Sequence, residues 1–227
     1  MATFFNLYHM NTFIITAGGI GTRMGTELPK QFLLVHNKPI LIHTLERFYE
    51  FDPTAQLIIT LPEQWISYWE DLLKLNYCKI PHQVVVGGGE RYFSIKNAID
   101  VATGDLIGVH DGVRPSVSIL TIQNCINSAI DNGSGIPFLE LKESIRNVVD
   151  GKSSAAVRND FVLVQTPQIF KSEILRKAYQ QSFNNKITDD ASLVEQAGYS
   201  ISLVPGNEEN IKVTTPQDLQ IVELFLK

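Results

Sequence analysis

The sequence predicts an α/β fold, a mostly parallel and doubly wound (Rossmann-like) sheet with a projecting β-arm. The first observation is that short β-rich segments alternate with helical segments over residues 12–130, as in sheets with helices on both faces. The second is that the segments richest in glycine, arginine and aspartate each follow a predicted strand. The third is that the segments become short and extended after residue 133, around the hairpin turn signal Asp150-Gly151.

Four strands and four helices are predicted in the first half of the chain. The strands come from short apolar runs and cover residues 12–17, 56–61, 83–86 and 105–109. The helices come from apolar residues three and four positions apart, and from the cap that Ser118 offers. They cover residues 39–51, 62–75, 90–102 and a segment after Ser118.

The second half is predicted to contain the arm and a final set of helices and strands. Residues 135–139, 144–149 and 155–157 are read as extended, and the arm is assigned to about residues 139–157. Helices are predicted at residues 172–182 and 189–197, strands at 201–204 and 211–213, and a last helix with Thr215 as cap and Pro216 at its first position.

Length and composition indicate one globular domain. The chain has 227 residues, is 44% hydrophobic and 19% charged, and carries a formal net charge of −5. This acidic balance argues against non-specific binding to nucleic acid, because like charges repel. No apolar run approaches the ~20 residues needed to cross a bilayer. We therefore expect neither a nucleic-acid partner nor a membrane.

Residues 1–11 are interpreted as an N-terminal extension of the domain. They contain neither Lys nor Arg, so they lack the basic start of a signal peptide. Cys78 and Cys125 lie far apart and fit neither a disulfide framework nor a zinc site. This cysteine usage fits a reducing compartment, and we expect the cytoplasm.

A glycine-rich loop follows the first predicted strand, with Gly18, Gly19 and Gly21 followed by Arg23 and Lys30. It is neither a P-loop nor a dinucleotide fingerprint, because the required lysine and third glycine are missing. Glycines let backbone N–H groups approach phosphates closely, and the two cations add positive charge. The loop is therefore predicted to hold a phosphate chain.

A second glycine turn, ending in Gly88-Gly89, precedes the helix that carries Ser94. Such a turn admits a flat base, whose edge bonds to main-chain groups, and Ser94 would add a side-chain bond. The alternative interpretation is an ordinary helix start with local capping.

A third motif runs from His110 through Asp111 to Arg114. An aspartate at a strand end beside a phosphate loop suits Mg²⁺, which binds one or two carboxylates together with phosphate oxygens and water. Arg114 offers a bidentate fork to a phosphate or to a hydroxyl-rich acceptor. His110 is interpreted as structural. Because the carboxyl ends of parallel strands share one edge, where ligands bind, the three motifs are expected to meet there.

The predicted site lacks a Ser–His–Asp set, a Cys–His set and a good general base. A phosphomonoester, with its second pKa near ~6, is largely a dianion at neutral pH and needs no deprotonation, whereas an alcohol would need a base. The residues therefore favour direct in-line attack by a phosphate, without a covalent enzyme intermediate.

From about residue 12 to its C-terminus the chain resembles the 2-C-methyl-D-erythritol 4-phosphate cytidylyltransferase family. The resemblance rests on ordered motifs: AGGIGTRM, LPKQF, GGGERYFSI, HDGVRP, QTPQIF, TDDASLVE and NIKVTTPQDL. It implies a fold of the nucleotidyltransferase type, a β-arm that hooks a second subunit into a homodimer, and Mg²⁺ as cofactor. It also implies a reaction that joins CTP to a sugar-alcohol phosphate and releases pyrophosphate.

The resemblance also implies roles for individual residues. Arg23 and Lys30 match transition-state stabilisers, and Arg158 and Lys212 match residues that position the acceptor phosphate. The implied nucleotide-binding positions are Ala17, Gly18, Gly19, Gly21, Gly88, Ser94, Asp111 and Gly112, with Asp111 as metal ligand. The implied acceptor-side positions are Arg114, Ser144, Thr166 and Thr188.

Three alternatives stay open at this point. A ribitol-5-phosphate cytidylyltransferase shares the phosphate loop and LPKQFL, although TDDASLVE and HDGVRP favour the erythritol enzyme. A sugar-1-phosphate nucleotidyltransferase has the same broad fold. A non-catalytic nucleotide-binding regulator is the alternative from another class, which the presence of Arg23, Lys30, Asp111 and Lys212 disfavours.

Overall fold

The computed structural model describes residues 9–19, 28–75, 77–184 and 187–226, and it confirms the α/β class. The described strands are β1 (Asn11–Thr16), β2 (Leu34–Val35), β3 (Lys38–Pro39), β4 (Gln56–Leu61), β5 (Gln83–Val86), β6 (Leu106–Asp111), β7 (Ser134–Glu140), β8 (Arg146–Val149), β9 (Lys152–Ala155), β10 (Val162–Val164), β11 (Gln168–Lys171) and β12 (Leu203–Pro205). The described helices are α1 (Ile40–Phe51), α2 (Ile66–Lys74), α3 (Arg91–Val101), α4 (Ile119–Asn132), α5 (Ser172–Ala178), α6 (Asp190–Gln196) and α7 (Pro216–Phe225).

The central sheet has the order β10-β7-β11-β6-β1-β4-β5, and β12 adds to β7. β5, β4, β1 and β6 run parallel, whereas β11 pairs antiparallel with both β6 and β7. The parallel part is the first half of the chain, where crossover helices return the chain to the same end of the sheet. The carboxyl ends of four strands therefore lie along one edge.

Two hydrophobic layers cover the faces of the sheet. Phe13 and Ile15 point to the layer that contains Leu45 and Phe48 of α1. Ile14, between them in β1, points to the opposite layer, with Ile95 of α3. All six side chains are fully buried. The alternation follows from the period of two along a strand, and it holds β1 at the centre of the molecule.

Helix starts largely follow the predicted capping. The Ser118 side chain accepts a hydrogen bond from the Thr121 N–H at the start of α4, and Thr215 and Asp218 form a capping box with Pro216 at the start of α7. These caps satisfy N–H groups that have no partner within the helix.

The prediction of a strand at residues 211–213 is wrong, because this segment has no strand pairing. The Val213 N–H donates to the carbonyl of Val113, and the Val213 side chain is buried with Val35 and Val222. The apolar alternation there reflects packing into a small third cluster. Residues 135–139, which are predicted to be extended, lie within β7 of the central sheet.

The hairpin of β8 and β9 forms a separate two-stranded sheet. Asp150 and Gly151 both adopt positive φ angles, 48° and 74°, as the tight hairpin turn requires. Every residue of the two strands is exposed. The hairpin lies within the predicted arm of residues 139–157.

Candidate active site

The described parts of the three predicted motifs lie at the carboxyl edge of the parallel strands. In the sheet register Thr16, the last residue of β1, pairs with Thr60 of β4 on one side and with Asp111 of β6 on the other. The Gly87 N–H donates to the carbonyl of Leu61, at the end of β4, over 2.8 Å. The three motifs therefore follow β6, β1 and β5 along one edge, with β4 between β1 and β5.

Asp111 is the centre of a charged cluster at this edge. Asp111 is 7% exposed. Its Oδ2 lies 3.0 Å from Nε of Arg114 and 3.1 Å from Nζ of Lys212. Arg114 is also anchored to the backbone, because its Nη1 donates to the carbonyl of Asn210 over 2.8 Å. One carboxylate thus binds cations from two distant parts of the sequence.

The charge of Asp111 is strongly favoured by these neighbours. Burial alone would raise the pKa of its carboxyl. Three cations, Lys212, Arg91 and Arg114, together outweigh burial and hold that pKa well below its usual range. Asp111 is therefore an anion throughout the physiological pH range, as a metal ligand must be.

Hydrogen bonds through His110 fix the position of Thr166 beside Asp111. Nε2 of His110 lies 3.0 Å from the carbonyl of Arg114 and carries the ring hydrogen, because a carbonyl only accepts. Nδ1 lies 3.1 Å from Oγ1 of Thr166 and accepts from it. The same Oγ1 accepts from the Asp111 N–H over 3.1 Å.

His110 has no exposed surface, and burial lowers the pKa of its imidazole to about 4. Both ring nitrogens are engaged in the bonds to Arg114 and Thr166. The ring is therefore neutral near pH 7 and has no nitrogen available as a general base, which supports its interpretation as structural.

Ser94 lies between the two glycine turns. Oγ of Ser94 accepts from the Gly88 N–H over 3.0 Å, and it lies 4.0 Å from the point where a Cβ would stand on Gly18. Cε of Lys30 lies 3.5 Å from the corresponding point on Gly19. Gly18, Gly19 and Gly88 are exposed, so their backbones are accessible to a ligand.

Two predicted nucleotide-binding positions are instead built into the interior. The backbone N–H of Ala17 donates to Thr60, and that of Gly112 donates to Thr16. The carbonyl of Ala17 accepts from Gln31 over 2.7 Å, and that of Gly112 accepts from Thr44 over 3.0 Å. Both residues are buried, so they shape the floor beneath the exposed glycines.

The structure does not bring every predicted residue to Asp111. Ser144 and Arg158 are exposed on the arm side of the molecule, and Nη1 of Arg158 donates to the carbonyl of Lys142 over 2.8 Å. Thr188 is also exposed, and its N–H donates to Oγ of Ser192. Gly21, Arg23 and most of the N-terminal extension lie outside the described residues.

Sequence reasoning missed an ion pair between the turns and α6. Nη2 of Arg91 lies 2.6 Å from Oδ2 of Asp190, whose side chain is fully buried. Both residues lie within the motifs GGGERYFSI and TDDASLVE. Their opposite charges were visible, but 98 residues separate them and no spacing rule connects them.

The residues at Asp111 fit a magnesium ion that is shared with a phosphate chain. Across the described ranges, no group of three or more His, Cys, Asp or Glu residues is arranged to hold a metal. Mg²⁺ does not require such a group, since one carboxylate suffices when phosphate oxygens and water complete the shell. Both cations contact Oδ2 of Asp111, which leaves Oδ1 outside these ion pairs.

None of the helices in the described part of the chain is long and apolar enough to span a membrane.

Comparison with known proteins identifies one family along nearly the whole chain. The model of the family IspD, 2-C-methyl-D-erythritol 4-phosphate cytidylyltransferase, matches residues 12–227. The protein of that name from Phocaeicola vulgatus is 45% identical over 214 residues, which cover 94% of this chain and 98% of that protein. Its namesake from Clostridium botulinum is 38% identical over 219 residues, 94% of this chain and 97% of that protein.

Solved structures give the same result. The crystal structure of 2-C-methyl-D-erythritol 4-phosphate cytidylyltransferase from Francisella tularensis has a TM-score of 0.77 and 30% identity, and the match covers 96% of this chain and 100% of that one. The bifunctional IspDF protein from Campylobacter jejuni has a TM-score of 0.80 and 27% identity. That match covers 93% of this chain and 54% of the other, so this chain spans about half the length of the bifunctional protein.

Proposed function

Because the chain belongs to the 2-C-methyl-D-erythritol 4-phosphate cytidylyltransferase family, we propose that it joins CTP to 2-C-methyl-D-erythritol 4-phosphate, giving 4-diphosphocytidyl-2-C-methyl-D-erythritol and pyrophosphate in non-mevalonate isoprenoid biosynthesis. The observation that carries the proposal is the cluster of Asp111, Arg114 and Lys212 at the same edge as the exposed glycine turns.

The chemical step is an in-line displacement at the α-phosphorus of CTP. An oxygen of the acceptor phosphate attacks, the bond between the α-phosphorus and the bridging oxygen breaks, and pyrophosphate leaves with the electron pair. The acceptor is a dianion at neutral pH, so no proton must be removed first. This agrees with His110, whose ring nitrogens are both engaged.

Charge repulsion between the two phosphates is the main barrier, and fixed cations lower it. Lys30, 9% exposed, lies against Gly19 of the phosphate loop. Lys212 reaches the edge from the other side and ends on Asp111. We assign Lys30, together with Arg23, to the triphosphate and Lys212 to the acceptor phosphate.

We assign Asp111 as the ligand of Mg²⁺. When bound, the ion neutralises phosphate oxygens and favours departure of pyrophosphate. Arg114 is anchored by Asn210 and offers the remaining N–H groups of its fork to the acceptor. Thr166, held by His110, is assigned to the acceptor as well.

The cytidine is assigned to the glycine turns. Gly18, Gly19 and Gly88 expose main-chain groups to the base and phosphates, and Ser94 lies between the two turns. The exposed backbones of Gly18 and Gly19 would face the base and the phosphates, while the Gly88 N–H is already bonded to Ser94.

The function is tested by a panel of acceptors and nucleotides, with pyrophosphate release as the readout. We expect release with CTP and methylerythritol phosphate in the presence of Mg²⁺, and far less with ribitol 5-phosphate or with ATP, GTP or UTP. Preference for ribitol 5-phosphate would identify the sister activity. CTP binding without turnover on any acceptor would identify a regulator.

We also propose that the active unit is a homodimer formed through the arm. The arm and the segment after it carry five exposed apolar side chains, Val148, Val149, Val157, Phe161 and Leu163, each more than half exposed. Exposed apolar groups that cluster in this way are typical of interfaces. In such a dimer, Ser144 and Arg158 of one subunit complete the acceptor site of the other.

Mixing two inactive variants tests this arrangement. If Arg158 acts across the interface, a dimer of Arg158→Ala with Asp111→Asn contains one intact site. Subunit exchange should then restore about a quarter of wild-type activity, because half of the dimers are mixed and each has one good site. Activity that stays at the level of the separate variants would show that Arg158 does not act across the interface.

The compartment we propose is the cytoplasm. The support is that Cys78 and Cys125 are both free thiols, as in proteins of reducing compartments.

A further inference from the structure

A buried ion pair connects the nucleotide side of the site with the acceptor side. Arg91 is the first residue of α3, three residues after Gly88 and three before Ser94. Asp190 is the first residue of α6 and follows Thr188 and Asp189. The 2.6 Å contact between Arg91 and Asp190 therefore joins the two segments that hold different substrates.

The acceptor end of this connection continues towards Asp111. Nε2 of Gln168 donates to Oδ2 of Asp189 over 2.7 Å, and Oε1 of Gln168 accepts from the Ala191 N–H over 2.8 Å. Gln168 is 1% exposed and lies two residues after Thr166. Since Thr166 bonds to the Asp111 N–H, α6 is fixed to the centre of the site.

Asp190 is held on both of its oxygens. Oδ1 accepts from the Tyr179 hydroxyl over 2.6 Å, and Oδ2 pairs with Arg91. The Tyr179 ring stacks on that of Tyr92, the next residue of α3, at 5.0 Å. Charge and ring contacts thus fix α3 against the segment before α6 at one spacing.

Stability alone does not account for a pair in this place. Asp190 is 0% exposed and the Arg91 side chain is 33% exposed, so both lose much of their hydration. The loss of hydration consumes most of the attraction in such pairs, and apolar replacements are often equally stable. A buried pair that contributes little net stability still fixes the distance and the register between the two segments that it joins.

We propose that Arg91 and Asp190 are positioning residues that set the distance between the bound nucleotide and the bound acceptor. This inference rests on the proposed function, because it assigns the two segments to the two substrates. Neither residue touches the reacting atoms. Their effect is on the approach of the acceptor oxygen to the α-phosphorus.

The test separates positioning from binding. Since a displacement of about 1 Å can cost on the order of 10²-fold in rate, Arg91→Gln should lower kcat roughly 10- to 100-fold while the Kd of CTP, measured without acceptor, stays within about threefold. Arg91→Lys, which keeps the charge, should recover part of the loss. Arg91→Gln/Asp190→Asn should be no slower than the slower single variant, because both changes remove one interaction.

Controls keep the result decisive. Arg47→Gln makes the same substitution in a surface pair within α1, Arg47–Glu50 at 2.9 Å, and should leave kcat unchanged. If Arg91→Gln does not fold, Tyr179→Phe replaces it, since it removes one bond to Asp190 and leaves the ion pair. That variant should lower kcat by a smaller factor, again with CTP affinity retained.

Two results would overturn the inference: a folded Arg91→Gln or Tyr179→Phe variant with wild-type kcat, or a loss of CTP affinity as large as the loss of kcat. Wild-type protein that turns over no acceptor would instead overturn the proposed function. The two failures are distinguishable, because the first is seen in the variants and the second in the wild-type protein.

Discussion

Substitution of Gly88 by alanine tests the glycine turn directly. A Cβ on Gly88 would lie 2.3 Å from Cβ of Phe93 and 3.2 Å from its carbonyl carbon. These atoms belong to the first turn of α3 and not to the far end of a flexible side chain. The turn or the helix must therefore move to accept the methyl group.

The size of the movement follows from these distances. Ordinary contact begins at 3.4 Å, so Gly88 and Phe93 must separate by about 1 Å. Overpacking of this kind costs about 1–3 kcal/mol, or roughly 2–12 °C in Tm for a domain of this length. The movement also disturbs the 3.0 Å bond from the Gly88 N–H to Ser94. Because a misplacement of 1 Å can cost on the order of 10²-fold, we expect kcat/KM for CTP to fall by about that factor.

Gly89 provides the matched control, because a Cβ there would meet nothing within 4 Å. Pyrophosphate release would be measured at varied CTP and saturating acceptor, with Tm determined in parallel. Gly89→Ala should behave like the wild type. A Gly88→Ala protein whose kcat/KM for CTP equals that of Gly89→Ala would refute the assignment of this turn to the nucleotide.

Two further predictions concern Lys30 and His110. Lys30→Ala should lower turnover on the order of 10²–10³-fold, as loss of one transition-state donor does, and the fold should persist by circular dichroism; less than a tenfold loss would remove Lys30 from the catalytic residues. His110, whose pKa burial lowers to about 4 from 6.5, makes unfolding depend on pH. Between these values the unfolded chain binds a proton at His110 that the folded chain does not, so the stability that neutral His110 contributes is present above pH 6.5 and falls by roughly 2 kcal/mol from pH 7 to pH 5. Urea unfolding at pH 7 and pH 5 should show a smaller change in the free energy of unfolding for His110→Asn than for the wild type. An equal change in the two proteins would contradict this role of His110.

The sequence predicts the parallel half of the fold well because its signals are local. The boundaries of β4 and β5 agree with residues 56–61 and 83–86, where apolar runs end at proline or glycine. The convergence of the three motifs also follows from the predicted topology alone, because the carboxyl ends of parallel strands share an edge. Asp111 and Thr16 are neighbours in the register as this logic predicts.

The rest depends on contacts that local patterns do not contain. Residues 135–139 are recognisable as extended, yet no local pattern shows that β7 pairs antiparallel with β10 and β11 and parallel with β12. Residues 211–213 alternate like a strand, but Val213 packs into a cluster with Val113. In both places the apolar pattern indicates that side chains are buried. Only the tertiary contacts determine whether the segment joins the sheet or packs without strand pairing.

The charge of the site shows why net charge and function need not agree. The chain carries −5 overall, yet three cations surround the single carboxylate of Asp111. Asp111 and Asp190 balance two of these cations, and the remaining positive charge favours a polyanion locally, because nearby charges dominate the field in a cleft.

The three cations differ in how firmly they are held. Arg91 is committed to Asp190, and Arg114 is fixed by Asn210 as well as by Asp111. Lys212 lies on a segment without helix or strand, is 43% exposed in its side chain, and meets Asp111 with its flexible end. An ammonium on a flexible stem reorients more easily than a guanidinium held at two points. We therefore expect Lys212 to be the cation that turns from the carboxylate to an incoming phosphate with the least rearrangement, while Arg91 and Arg114 keep their contacts.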